Sequence, residues 1–356
     1  MNKTPLYSYH IQKAKMAPFA GFEMPLFYTG ALAEVKAVRE GAGLFDVSHM
    51  GVIEIAGEEA ESFLDWVSTN QIKGKKTGSA TYTVLCSKEG GCIDDVMVMK
   101  VSDSNFLVVA NASNRDVVLS HFKQEAARFK SVSVHSLFDT HGLLALQGKT
   151  AADVLKEIIP GALNLKKHTL ANEKHHEFGP LALSRTGYTG EDGFEILISF
   201  KTMRSLWDTI LSQRQVIPCG LAARDILRLE MGYALFGHEL SPTISPLESV
   251  SFWTVKMQKE RFLGKDALMN WPTSRCEQGI VLSSKGVMRE GYAVFKEDTN
   301  VGVITSGGFS PTLGKSVGIA LLNSKLAIGD RVTIEIRGKK EPGEIVSLPF
   351  IHHQAS

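Results

Sequence analysis

RTGYTGEDGFEI, residues 185–196, sets Gly187, Gly190 and Gly193 among an arginine, a tyrosine and three carboxylates, then runs into an apolar strand. Glycines at this density let a backbone turn tightly and approach a ligand closely. Glu195 closes the motif at the start of a firm strand. An acceptor fixed there suits hydrogen bonding to a heterocycle with several N–H groups. Glu191 and Asp192 fall on the turn itself and are expected to be exposed. Standing alone, the stretch fits a hairpin with solvated acids.

Upstream, residues 51–136 read as a compact β/α unit. GVIEI is strand-like, and EEAESFLDWVSTN places Ala60, Phe63, Leu64 and Val67 at helical spacing. TYTVLC, DVMVMKV and FLVVA follow as strands, and RDVVLSHFKQEAARF carries Val118, Phe122, Ala126 and Phe129 on one helical face. With SVSVHS closing the unit, the order predicts a ferredoxin-like α+β lobe. Further strands (LLALQG, LALSRTG, FEILISF) alternate with helices over 137–250; MRSLWDTILSQ turns Leu206, Trp207 and Ile210 inward, and GLAARDILRLEMG turns Leu221, Ile226 and Leu229 inward. From about residue 276 the character changes. GIVLSS, YAVFK, VGVITS, SVGIALL, RVTIEIR and GEIVSL are short strands between glycine-containing turns, which predicts a small antiparallel barrel. The expected division is therefore 1–275, with the ferredoxin-like lobe at 51–136 inside it, and a barrel domain at 276–356.

A chain of 356 residues with 44% hydrophobic content can bury a large core. Its formal net charge of +1 gives no bulk electrostatic case for nucleic acid. The apolar runs are too short to cross a bilayer. MNKTPLYSYH has neither the apolar centre of a signal peptide nor the Arg-rich character of a transit peptide, which argues for cytoplasmic residence. Cys86, Cys92, Cys219 and Cys276 form no C-x-x-C pair and the histidines show no ligand spacing, so small buried thiols and no metal site are expected.

Two more segments join the glycine-rich one. FDVSHMG (45–51) follows a helix-like run, and GGCIDDVMVMKV (90–101) sets Asp94 and Asp95 at the mouth of an apolar strand. The order DVSHM, GGxxDD, GYTGEDGxE, GLAARDxLRLE, TISPLE, SGxFSPTL resembles the aminomethyltransferase family, the T-proteins of the glycine cleavage system, over nearly the whole chain. That resemblance implies a three-lobed folate-binding fold with a central channel. The implied activity moves the methylene carbon of an aminomethyl group from the lipoyl arm of a carrier, the H-protein, to tetrahydrofolate, releasing ammonia. Tetrahydrofolate and the lipoylated H-protein are thus the expected partners, with neither nucleic acid nor membrane.

The resemblance also assigns residues. Asp95, the second aspartate of GGxxDD, matches the catalytic carboxylate of the family; on the residues alone, acids at a strand mouth also fit a solvated turn. Adjacent strand residues point to opposite faces, so Asp94 and Asp95 are expected to part, one to the cavity and one to solvent or a neighbouring turn. Glu195 matches the pterin-binding glutamate. Arg224 matches a folate-contacting arginine; an ion pair with Asp225 or Glu230 is its alternative, and Arg228 is the expected structural partner. Met50 and Tyr82 are expected against the pterin and aminobenzoyl rings. Asn111 would either bond the ligand or cap the next helix, a place that Asn114 also suits. Arg289, in the loop KGVMREGY, would reach the folate tail or the carrier, or remain solvated. His49 is expected to be packed or capping, without chemistry.

The chain departs from the family pattern at Phe236, where a tyrosine is frequent, at Ser241–Pro242 and at Lys149. Two other functions share such a fold: a folate-dependent demethylase of a sulfonium or amine donor, and a non-catalytic folate-binding accessory protein. The Lys-Gly-Cys-Tyr signature of the accessory relatives is missing near Phe236–Glu239, and GAGLFD lacks the third glycine of a dinucleotide loop.

Overall fold

The computed structural model describes residues 1–272 and 274–352. Three sheets carry the architecture, with a small hairpin, Lys15–Phe19 and Phe22–Phe27, at the N-terminal side. The first lobe has the antiparallel order Ala80–Cys86, Cys92–Ser102, Asn105–Ala110, Gly51–Ala56, Ser133–Ser136. Its last four strands and the helices Ala60–Val67 and Arg115–Ala126 make the ferredoxin-like arrangement, and Ala80–Cys86 is an added edge strand. Ala60, Phe63, Leu64 and Val67 are buried as their spacing predicts. The second helix buries Val118, Phe122 and Ala126 and stops there; Phe129 lies beyond it and still packs edge-on against Phe63, centroids 5.5 Å apart.

The second lobe is a six-stranded sheet ordered Leu170–His175, Gly179–Ser184, Gly193–Ser199, His141–Gln147, Ala42–Asp46, Val216–Pro218. Only the last pairing is parallel. Helix Phe200–Leu211 lays Met203, Leu206, Trp207 and Ile210 on this sheet. Ala42–Asp46 is buried at every position. Gly43 lies so close to helix Ala31–Glu40 and to Cys219 that an added Cβ would stand 2.6 Å from Val38 Cγ2 and from Cys219 Sγ.

The third lobe is a closed antiparallel barrel of six strands, Cys276–Leu282, Lys315–Leu322, Thr299–Ser310, Ala293–Lys296, Arg331–Ile336 and Lys339–Val346 in order around it. Each of the six segments expected from the sequence supplies one strand. Its interior holds Ile280, Leu282, Met288, Ile304, Leu322 and Ile334. No helix among the described residues is long and apolar enough to cross a membrane.

Helix Leu221–Glu230 joins the lobes, and here the expected inward face holds for Leu229 but not for Leu221 and Ile226. Leu221 and Ile226 are only half-buried, whereas Ala223, Leu227, Leu229, Arg228 and Glu230 are buried. Charge can face inward because it is fully paired. Arg228 donates to Glu239 (3.1 Å), to Asp225 (2.8 Å) and to Ser306 (2.9 Å), and Glu230 accepts from Arg39 at 2.6 Å.

Candidate active site

Strand Cys92–Ser102 carries both aspartates to the edge of the first lobe, where both are buried and share the side-chain amide of Asn111 while taking their other partners separately. Asp94 turns to the Asn111–Asn114 turn and is fully buried, not solvated. It accepts from Asn111 N (3.0 Å), Asn111 Nδ2 (2.9 Å) and Asn114 Nδ2 (3.1 Å). Asp95 adds Tyr82 to the shared Asn111 amide. Tyr82, across the hairpin, donates to its Oδ2 at 2.9 Å, and Asn111 Nδ2 reaches its Oδ1 at 2.8 Å. Neither asparagine caps helix Arg115–Ala126 with its side chain. Their amides tie the carboxylates instead, which corrects the capping alternative.

Burial is the main influence on both acids. It pushes Asp95 up to about 6, against the Tyr82 and Asn111 hydrogen bonds that favour its charged form. Asp94 is pushed up to about 8, first by burial and then by the charge of Asp95, with Asn111 and Asn114 opposing. The two carboxyls lose their protons in linked steps, the charge of Asp95 adding to burial in holding Asp94 up.

The glycine-rich turn builds the facing wall. Gly190 takes φ 80°, and an added Cβ would stand 2.3 Å from Met231 Sδ. Its acids are not the solvated pair expected from the sequence: Glu191 accepts from Arg39 at 3.0 Å, and Asp192 pairs with Arg185 at 2.5 Å. Both arginines staple the turn to its surroundings. Beyond it, Glu195 is held by Thr186, whose hydroxyl donates to Oε2 at 2.5 Å, and lines a narrow cavity with Ser184, Met99, Leu107, Val109 and Leu143.

Arg224 lies with its guanidinium carbon 4.9 Å from the centre of the Tyr188 ring. Among the described residues its Nη1 is buried with no acceptor, and neither Asp225 nor Glu230 pairs with it. Burial lowers its pKa, with the charge of Glu195 opposing, and the guanidinium stays protonated. A buried unmet donor beside an aromatic ring and within the influence of the Glu195 charge has the chemistry to accept a polar, planar ligand.

Met50 packs with the cluster that includes Val52, Met99, Leu107 and Val109, beneath the same cavity. His49 is buried edge-on against Phe19 and Phe22. Burial, then the charge of Arg224, hold it down to about 3, so it is neutral at physiological pH. Arg289 is set apart: it is exposed on the barrel and donates to Gly307 O at 3.3 Å. Phe236 packs with Val84, Cys86 and Cys92 behind the aspartate strand. The loop containing Ser241–Pro242 crosses the same strand, with Cys92 N donating to Ser241 O at 3.1 Å.

Three residues of this region escape the sequence reading. Tyr188 stacks on Tyr233 (5.8 Å, 25°) and its hydroxyl donates to Ala234 O; its place inside GYTGEDG was signal enough to find it. Trp253 lies 5.8 Å from the Tyr82 ring and is half exposed at 52%. Ser251 meets the Tyr82 hydroxyl at 3.1 Å. Nothing in SVSFWT marks either of these two.

A model of the GCVT N-terminal domain matches residues 6–259, and one of the Glycine cleavage T-protein C-terminal barrel domain matches residues 277–352. Aminomethyltransferases of Pseudothermotoga lettingae and Thermotoga maritima are each 40% identical to the chain, over 98% of both partners. The crystal structure of the glycine cleavage system aminomethyltransferase T from Bartonella henselae superposes with a TM-score of 0.92 at 34% identity, covering 98% of each chain. Fold and similarity together define an enzyme that transfers a one-carbon group. The chain belongs to the aminomethyltransferase family, the T-proteins of glycine cleavage.

Proposed function

We propose that this aminomethyltransferase takes its one-carbon unit from the lipoyl arm of an H-protein, passes it to tetrahydrofolate with release of ammonia, and does so at Asp95. The observation that carries this reading is the setting of Asp95: a buried carboxylate fixed by Tyr82 and Asn111 and charged near neutral pH, with Tyr188 lying near both it and Arg224, whose donor is unmet. We further place the division between folate-binding and barrel domains at residue 275, and the enzyme in the cytoplasm.

Tetrahydrofolate would supply the attacking nitrogen. The chain's residues bind and orient it. Glu195, locked by Thr186, accepts from the pterin N–H edge, and Arg224 completes that contact with its unmet Nη1. Met50 and Tyr82 cover the rings, and Asn111 keeps Asp95 turned to the reacting nitrogen. Asp95 accepts a hydrogen bond from that nitrogen, raising its nucleophilicity, and stabilises the positive charge that develops as ammonia departs. Arg289, outside this cluster, is available for the folate tail or the carrier.

Two results are expected. The first is an acid limb in the pH profile of kcat. Asp95 must be charged to do this work, and burial holds it up to about 6, so activity should rise with pH through about 6. Folate-dependent ammonia release from aminomethylated H-protein, followed from pH 5 to 8, measures it; undiminished turnover at pH 5 would remove the charged form from the mechanism. The second concerns binding. Glu195→Gln should weaken tetrahydrofolate about tenfold, the worth of one charge-assisted hydrogen bond, and change kcat little. Calorimetric titration with an unchanged Kd would take Glu195 out of the pterin contact.

A further inference from the structure

We propose that Ser251 is a positioning residue for the transfer, acting on Asp95 through the hydroxyl of Tyr82. The proposal deepens the reading given above and rests on Asp95 being the carboxylate of the reaction.

Proton counting sets the direction of the chain. Tyr82 has one hydroxyl proton and gives it to Asp95 Oδ2, 2.9 Å away. The Ser251 contact with the same oxygen, at 3.1 Å, must then run from serine to tyrosine. Ser251 Oγ–H donates to Tyr82 Oη, and Tyr82 Oη–H donates to the carboxylate. Such a relay polarises the tyrosine and strengthens its bond to the charged acceptor. Hydrogen bonds to a charged group are worth more than those to a neutral one, so the relay favours the ionised form of Asp95.

Ser251 is built in, not incidental. It is 3% exposed and opens the short helical turn Phe252–Thr254. Its N–H donates to Ser249 Oγ at 3.2 Å, and its carbonyl accepts from Thr254 N (3.0 Å) and Thr254 Oγ1 (2.8 Å). Glu277, in the first barrel strand, accepts from Val250 N at 2.7 Å. The barrel thus braces the turn that aims the serine, and Trp253 leans on the outer side of the Tyr82 ring. The other groups bearing on Asp95 come from separate elements: Asp94 and Cys92 on its own strand, Asn111 on the following turn, Tyr188 on the glycine-rich turn, and Glu239 after helix Leu221–Glu230. None of them touches Ser251 in the described contacts.

The test is a carboxyl titration, which does not depend on turnover. Protein labelled with [γ-13C]aspartate is followed by NMR, and the Asp95 signal is identified by its loss in Asp95→Asn. Ser251→Ala should move the Asp95 midpoint up by about half a pH unit, as expected for losing one polarising bond in a chain. Ser251→Thr, which keeps the hydroxyl, should restore it. In a Tyr82→Phe background Ser251→Ala should produce no further shift, because the link is gone. The acid limb of kcat should follow the same order, with KM for tetrahydrofolate unchanged. An unmoved midpoint in Ser251→Ala, or an equal shift without the tyrosine hydroxyl, overturns the proposal. An inactive wild type would overturn the functional reading alone, since the titration still decides the relay.

Discussion

Asp95→Asn is expected to lower kcat about 10²–10³-fold and to leave the dissociation constant of tetrahydrofolate within a factor of about three. The substitution is nearly isosteric. The new asparagine can accept from Asn111 Nδ2 with its carbonyl oxygen and donate its NH2 to the Tyr82 hydroxyl, which then donates to Ser251, so Asn111 keeps its bond to Asp94 and the local hydrogen bonds survive. What disappears is the negative charge. That charge is held in a setting where burial raises the pKa to about 6, a cost to the fold that an uncharged amide would avoid. Its value must lie where positive charge develops, in the transition state, so the loss falls on kcat and not on ground-state binding. Asp94→Asn is the control. Asp94 meets Asp95 only through the shared Asn111 amide and does not bond Tyr82, so its replacement should act mainly on stability and change kcat far less. Single-turnover ammonia release, with folate binding measured separately, decides between them. A kcat within tenfold of wild type in Asp95→Asn would remove this carboxylate from the reaction.

The sequence carried the barrel because each of its segments is short, alternating and closed by a glycine turn, which is the pattern that a half-buried strand imposes. The first lobe was legible for the same reason: Phe63, Leu64 and Val67 fall on a helical face, and the strands between the helices are continuous apolar runs. Ala42–Asp46 was not. Five buried residues directly after a helix show neither a period of two nor a turn, and periodicity alone cannot place such a strand. Helix Leu221–Glu230 misled the reading because apolar spacing assumes that charge faces water. Arg228 and Glu230 break that assumption through partners up to 191 residues away, which no local pattern encodes. The site divides along the same line. Asp95, Glu195 and Arg224 lie in motifs whose order resembles a family, so they could be named. The bonds that govern them, from Asn111, Thr186 and Ser251, depend on register across the hairpin and on contacts between separate elements, and became visible only in the fold.

Removing the carboxylate of Glu230 should cost about 3–5 kcal/mol of stability, the range found when one member of a buried pair is lost. Arg39 uses all five of its N–H donors: two bonds to Glu230 Oε2 (3.1 and 2.6 Å), one to Leu227 O (3.4 Å), one to Thr189 O (2.7 Å) and one to Glu191 (3.0 Å). The other oxygen of Glu230 accepts from Ser310 Oγ at 2.5 Å and from Thr312 N at 3.3 Å, both next to the barrel strand Thr299–Ser310 or at its end. One buried carboxylate therefore joins helix Ala31–Glu40, helix Leu221–Glu230, the glycine-rich turn and the barrel. Glu230→Ala leaves the Arg39 charge largely desolvated, with Glu191 to balance it, and strips Ser310 and Thr312 of their acceptor. The strain reaches the site, since Thr189 and Glu191 belong to the turn that delivers Glu195, and folate binding should weaken together with stability. Arg39→Met combined with Glu230→Leu should recover part of the loss, because it removes both members of the buried Arg39–Glu230 pair, while Glu191 gives up its bond to Arg39. Urea unfolding of the two single variants and the double variant tests this. A loss below about 1 kcal/mol in Glu230→Ala, the scale of an exposed pair, would show that the lobes are held together by apolar packing alone.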